Sequence, residues 1–189
     1  MNSIGKLHLI IGPMYAGKST ELIRMINRFK FLDYNILCIN HSINSRYGSN
    51  NITTHNKDEM KNCVTMKSLK KINENEELKE LYKKSNVVVI EEVQFFKDAY
   101  NDIKKMVEED NKIVVVAGLV SDFNREPFGD VLKLITIADT YEALTALCTR
   151  CKDGTPAPFT KRRTIDKEKE LVGSYGVYEA VCRHHYLHD

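Results

Sequence analysis

Leu7-His8-Leu9-Ile10-Ile11 runs directly into Gly12-Pro13-Met14-Tyr15-Ala16-Gly17-Lys18-Ser19, and from there into Thr20-Glu21-Leu22. The first five residues are short, largely aliphatic and apolar on both faces, as expected of a strand buried inside a parallel sheet. After Ser19, Leu22, Met25, Ile26 and Phe29 recur at spacings of three and four, which predicts an amphipathic helix. The segment between strand and helix fits G-x-x-x-x-G-K-[ST] in the context that pattern requires. Its glycines let the backbone curl so that successive N–H groups point inward at a triphosphate, and the helix beginning near Lys18 adds its positive dipole end. On this reading residues Gly12, Pro13, Met14, Tyr15, Ala16 and Gly17 form the cradle. Lys18 reaches the β- and γ-phosphates, the Ser19 hydroxyl ligates Mg²⁺, and Thr20 is only a helix residue.

Working outward, Asn35 to Ile39, Val87 to Ile90 and Ile113 to Ala117 repeat the buried-strand pattern, with a weaker fifth at Leu132 to Ile137. Ala99, Ile103, Met106 and Val107 carry a second helical stripe. Strands alternating with helices imply an α/β, doubly wound, mainly parallel sheet. Asn44 to Lys57 is polar and Asn-rich and reads as a loop, while Lys70 to Lys84 reads as one solvated helix. From Cys148 onward periodicity fades and Pro156 and Pro158 appear, so a boundary is expected near residue 145. It separates a nucleotide-binding domain over 1–145 from a small subdomain over 146–189.

With 189 residues, 42% of them hydrophobic, the chain can bury one α/β core and a small appendage. The 28 basic and 26 acidic residues are mixed along the chain, giving a formal charge of +2 without a basic face, which argues against nucleic acid as a partner. No apolar run approaches the ~18 residues that would cross a membrane, and a cytoplasmic location is expected. Five cysteines leave a disulfide framework one short, and clustered cysteines inside a cell more often bind metal. Cys38 and Cys63 stand alone in sequence.

Val87 to Ile90 ends in Glu91-Glu92, placing two carboxylates at the edge where open α/β sheets hold their chemistry. On a regular strand neighbours point to opposite sides, so one would face Mg²⁺ and its waters and the other an acceptor hydroxyl. Gln94, Phe95 and Phe96 follow and supply either an amide and a flat apolar wall or simply core. Cys148-Thr149-Arg150-Cys151 and Cys182-Arg183-His184-His185 make two C-x-x-[CH] knuckles, four ligands for a closed tetrahedral Zn²⁺ whose role is structural. His184 competes with His185, and the repeated spacing favours His185. Two rival readings are an ATPase switch, and a zinc module that binds nucleic acid or a partner.

Read together, GPMYAGKSTEL, SRY, EEVQFF, FNREPFGD, the first knuckle, FTKR, LVGS and VYEAVCRHH form an ordered series from about Lys6 to Tyr186. This series resembles the type II thymidine kinases. The resemblance implies transfer of the γ-phosphoryl of MgATP to the 5′-hydroxyl of thymidine, and of deoxyuridine. It also implies a zinc-held lasso loop over the nucleoside, a homotetramer and dTTP as feedback inhibitor. Carried over by motif, Glu92 is the base, Arg46 lies near the transferring phosphate, and Gln94 and Phe95 line the deoxyribose. Met14, Leu119, Phe123 and Phe128 form the base pocket. Thr160 and Tyr178 touch the base, and backbone groups around Val172 and Gly173 bond the pyrimidine edge. Phe123, Phe128 and Leu119 read equally as core, and Lys161-Arg162-Arg163 reads as a solvated stretch. Glu91, Val93 and Asn44 depart from the family pattern, which commonly has Asp-Glu-Gly-Gln at the strand end and an acid two residues before the arginine.

Overall fold

The computed structural model describes residues 4–43, 52–53, 59–60, 63–163 and 177–188. Arg46, Val172, Gly173, Asn44 and most of the expected Asn-rich loop lie outside the described residues. In chain order the elements begin with β1 (Lys6–Ile11), α1 (Lys18–Phe31), β2 (Ile36–His41), β3 (Ile52–Thr53), β4 (Glu59–Met60) and β5 (Val64–Met66). They continue through α2 (Lys71–Glu74), α3 (Glu76–Lys84), β6 (Val87–Ile90), a 3₁₀ turn at Val93–Phe95, α4 (Ala99–Glu108) and β7 (Ile113–Gly118). The remainder is α5 (Val131–Ile135), β8 (Thr140–Ala143), β9 (Ala146–Leu147), β10 (Pro156–Ala157), β11 (Phe159–Arg162), β12 (Tyr178–Val181) and α6 (Arg183–Leu187).

Six strands form one sheet in the order β5-β2-β6-β7-β1-β8, and every pairing in it is parallel. Alternation along the central strands divides the core in two. Leu7, Leu9, Val88, Ile90, Val114 and Val116 pack with α4 and α5 on one face. Ile10, Cys38, Val87, Val89, Val115 and Ala117 pack with Leu22 and Ile26 of α1 on the other. The α/β expectation is met because strands apolar on both faces need helices on both. Phe96, 1% exposed, plugs the sheet edge just beyond β6.

Two local readings are corrected. Leu132 to Ile137 is not a strand: α5 buries Val131 and Leu134, three residues apart, and leaves Leu132 exposed, which is helical spacing. The strand beside β1 is instead β8, whose residues are exposed and so lack an apolar signature. The solvated helix of 70–84 is broken in two at Asn75, whose extended backbone and side-chain oxygen, accepting from Leu78 N at 3.0 Å, cap α3.

Because every strand of the sheet runs the same way, β1, β2, β6 and β7 end at one edge. There lie the Gly12–Gly17 loop, the Glu91–Gln94 turn and the Leu119–Gly129 segment. β9 to β12 and α6 form a small lobe whose apolar cluster of Ala146, Cys148, Ala157, Ala180, Val181 and Cys182 packs against Tyr15 and Ala16 of the first of these loops.

Candidate active site and metal centre

The loop between β1 and α1 turns through left-handed conformations at Tyr15 (φ 64°) and Gly17 (φ 83°), the latter at the N-terminus of α1. Gly12 is needed for space: a Cβ there would stand 2.5 Å from the Leu144 carbonyl oxygen. Lys18 folds back so that its Nζ donates to the Pro13 carbonyl at 2.7 Å. Burial, only partly opposed by the charges of Glu92 and Glu91, lowers the pKa of its ammonium.

The Ser19 hydroxyl donates to Glu91 Oε1 through a short contact, joining the start of α1 to the end of β6. Burial first, and then the charge of Glu92, push the Glu91 carboxyl up to about 8, although the Ser19 hydroxyl favours its ionised form. The strand does not continue regularly through the two carboxylates. Glu92 adopts the left-handed region (φ 54°, ψ 45°), costly for a residue with a side chain and concentrated at functional sites. Gln94 Nε2 donates to Glu92 Oε2 at 2.5 Å, while Gln94 Oε1 accepts from Leu119 N at 3.1 Å. The buried amide is therefore held at both ends. Gly118 leaves room for it, since a Cβ there would come within 2.9 Å of Gln94 Oε1, and Gly129 (φ 58°) leaves room for the backbone of the turn, where a Cβ would come within 2.4 Å of the Gln94 main-chain carbonyl oxygen.

An aromatic wall adjoins this turn. Phe95 meets Phe128 edge-on at 5.3 Å between centroids, and His41, from the end of β2, packs against Phe95 at 5.6 Å and Phe96 at 4.7 Å. From the small lobe, Thr160 Oγ1 accepts from Met14 N at 3.0 Å, and Tyr15 OH donates to the Tyr178 carbonyl at 3.3 Å. The structure thus brings Met14, Lys18, Ser19, Glu91, Glu92, Gln94, Phe95, Leu119, Phe128, Thr160 and Tyr178 to one edge of the sheet and the lobe beside it.

The reading of 161–163 as solvated is corrected at Lys161 and Arg162 and holds at Arg163, which is exposed. Arg162 stacks over Phe123 at 3.8 Å and donates to the Tyr178 hydroxyl. Lys161 Nζ donates to the His185 carbonyl at 2.9 Å. Alternation along β11 explains this: Thr160 and Arg162 turn to the main-domain side, Phe159 and Lys161 toward α6. Tyr186 OH donates to the Phe123 carbonyl at 2.8 Å, fastening α6 to the segment that carries Phe123 and Phe128. Sequence reasoning passed over Tyr186, and its partner lies 63 positions away with no local pattern to signal it.

Cys148, Cys151, Cys182 and His185 bring one donor atom each to within 4.8 Å of one another. His185 Nδ1 lies 3.6, 3.4 and 3.4 Å from the three sulfurs, and Cys151 Sγ lies 3.8 Å from Cys182 Sγ. Zn–S bonds of about 2.3 Å and a Zn–N bond of about 2.0 Å give a tetrahedron with S···S edges of about 3.8 Å and S···N edges of about 3.5 Å. The donor set therefore fits zinc in both chemistry and spacing. Burial opposes ionisation of the Cys148 thiol, but N–H groups of Cys151, Cys182 and Arg150 outweigh it and bring it down to about 6, favouring the thiolate that a metal takes. Arg150 holds the first knuckle to β12 through two-pronged hydrogen bonds to Glu179, its Nη2 at 2.6 Å from Oε1.

A parallel α/β sheet with its polar chemistry gathered at one edge, joined to a three-cysteine, one-histidine cluster, defines the class: an α/β protein with a small lobe whose clustered donors can hold a metal. The thymidine kinase family profile matches residues 5–186. Over 97% of this chain, a thymidine kinase of Oryza sativa subsp. japonica is 40% identical and thymidine kinase a of Arabidopsis thaliana 39% identical. Thymidine kinase of vaccinia virus (strain Western Reserve) is 37% identical over 97% of both chains. The present chain spans 66% of the rice protein and 75% of the Arabidopsis protein. The chain belongs to the thymidine kinase family.

Proposed function

We propose that this protein transfers the γ-phosphoryl group of MgATP to the 5′-hydroxyl of thymidine, and also of deoxyuridine. The observation that carries the reading is the Ser19–Glu91 hydrogen bond. It joins the helix start after the glycine-bearing loop to the acidic end of β6, the pairing a metal–triphosphate needs. Relatives named thymidine kinase over almost the whole chain supply the substrate class.

In this reading the N–H groups of Gly12 to Ser19 cradle the phosphates and Lys18 spans the β- and γ-groups. Ser19 and Glu91 would hold Mg²⁺, which on binding offsets phosphate charge. Glu92 orients the acceptor hydroxyl and takes its proton late. Gln94 fixes Glu92 and, with Phe95, lines the sugar, while Met14, Leu119, Phe123, Phe128, Thr160 and Tyr178 enclose the base. Arg46, Val172 and Gly173 enter on the sequence motif alone. Phosphoryl transfer passes through a loose transition state, so positioning and charge dominate over covalent help from the protein. Zinc in the Cys/His cluster is structural, and the chain divides into 1–145 and 146–189. A homotetramer, inhibition by dTTP and a cytoplasmic location belong to the same proposal.

The test is product identity. Incubation of the purified protein with MgATP and thymidine should yield ADP and a monophosphate that co-chromatographs with thymidine 5′-monophosphate. A 3′-monophosphate, or no nucleotide product from active zinc-loaded protein, would reject the reading.

A further inference from the structure

A pair of sulfurs stands outside the site above, and it also corrects the reading of Cys38 and Cys63 as isolated residues. Ile39 of β2 pairs in register with Val64 of β5, so Cys38 of β2 and Cys63, the residue that leads into β5, occupy the preceding, matched positions. Both side chains face α1 within the same buried cluster. Neighbouring strands run about 4.8 Å apart, inside the Cα separation of about 4.4–6.8 Å that a disulfide accepts. The Cys63 thiol donates to Cys38 Sγ at 3.0 Å. Forming a bond of about 2.05 Å therefore needs an approach of roughly 1 Å and no rearrangement of the sheet. The pair lies beside the functional edge: on the next strand, Glu91 N donates to the Ile39 carbonyl at 3.0 Å.

We propose that Cys38 and Cys63 are a redox-active dithiol, a modification site at which hydrogen peroxide converts two buried thiols into an intrachain disulfide that staples the start of β5 to β2. One thiolate attacks a peroxide oxygen, the O–O bond breaks, and the departing hydroxide is protonated to water. The second sulfur, giving up its proton, attacks the resulting sulfenic sulfur; the S–O bond breaks and a second water leaves. Two thiols lose two electrons and two protons in total, and the peroxide is reduced to two waters.

Access comes from the sheet edge. β5 has three residues and is the outermost strand, so opening of this element exposes Cys63 at far lower cost than global unfolding. The hydrogen bond with Cys63, together with burial, raises the Cys38 thiol well above its ordinary range. Oxidation therefore waits on that opening and is slow compared with an exposed thiolate.

The experiment uses the full, zinc-loaded chain and hydrogen peroxide in small molar excess. Remaining thiols are alkylated under denaturing conditions and the protein is digested without reduction. The expected product is a peptide joining Cys38 to Cys63, two hydrogens lighter than the sum of its reduced halves, that disappears on treatment with dithiothreitol. Cys38→Ala should abolish the cross-link and leave Cys63 as a sulfenic acid trapped by dimedone. Cys63→Ser, at the sheet edge, should likewise abolish it if Cys38→Ala does not fold. The proposal is overturned if Cys38 and Cys63 are both still alkylated after the zinc-cluster cysteines have been oxidised. It is equally overturned if either is found bonded to Cys148, Cys151 or Cys182 instead of to its neighbour.

Discussion

Replacing Glu91 by Gln should stabilise the protein above neutral pH when nucleotide and magnesium are withheld. Burial and the adjacent Glu92 charge raise the Glu91 carboxyl from an ordinary 4.5 to about 8. The folded state therefore holds a proton that the unfolded chain releases throughout that interval. Its contribution to stability is complete below about pH 4.5, falls as pH rises, and is lost once pH passes about 8. At roughly 1.4 kcal/mol per pH unit, the rise corresponds to a ceiling of about 5 kcal/mol between pH 4.5 and pH 8.5. Gln at this position keeps an oxygen for the Ser19 hydroxyl and cannot ionise, so the variant lacks this falling limb. Urea denaturation of both proteins from pH 5 to 8.5 in chelator-treated buffer measures the difference, in which pH effects from His8 and the other shared groups cancel. The expected gap widens by several kcal/mol toward high pH. Saturating MgATP should shrink it, because the proposed Mg²⁺ contact rewards the carboxylate. Stability profiles that stay parallel across the range would refute the burial argument for Glu91.

Glu92→Gln should retain MgATP binding while turnover drops by roughly two to four orders of magnitude; unchanged turnover would remove Glu92 from the mechanism. Cys151→Ser should lose zinc by elemental analysis and lower thermal stability, since the cluster stitches β9 to α6 across a lobe with few buried apolar side chains. Gly129→Ala puts a methyl group 2.4 Å from the Gln94 carbonyl oxygen at a left-handed φ. It should destabilise the fold by about 1–3 kcal/mol in urea titration and raise the KM for the nucleoside.

What the chain discloses locally it discloses well. The loop from Gly12 to Ser19 and the two knuckles are spacing patterns within eight residues, and the structure places His185, rather than His184, with the three cysteines. The strands from Val87 and Ile113 are apolar on both faces and admit little else. By contrast Leu132 to Ile137 alternates apolar and polar residues as strongly as it follows helical spacing, and the tertiary packing of Val131 and Leu134 decides for the helix. β8 had no apolar signal because its side chains are exposed, and its identity comes from pairing with β1. Contacts across long separations were equally hidden: Arg162 against Phe123, Tyr186 on the Phe123 carbonyl, and Cys63 against Cys38. The last depends on β5 becoming the neighbour of β2, a property of the sheet order, and the first two on how the small lobe seats against the Phe123 segment. The Glu91-Glu92 pair shows the opposite limit. Its position was readable, but the left-handed turn at Glu92 and the grip of Gln94 arise from the close approach of Leu119 and Gly129.

The most direct measurement is transfer of labelled γ-phosphate from MgATP to a panel of thymidine, deoxyuridine, deoxycytidine and purine nucleosides, with ATP hydrolysis followed in the same samples. The account predicts label in thymidine and deoxyuridine products, little in the others, and slow hydrolysis when no nucleoside is present. Brisk hydrolysis with no labelled nucleotide would contradict it and identify the Ser19–Glu91 edge as the site of an ATPase.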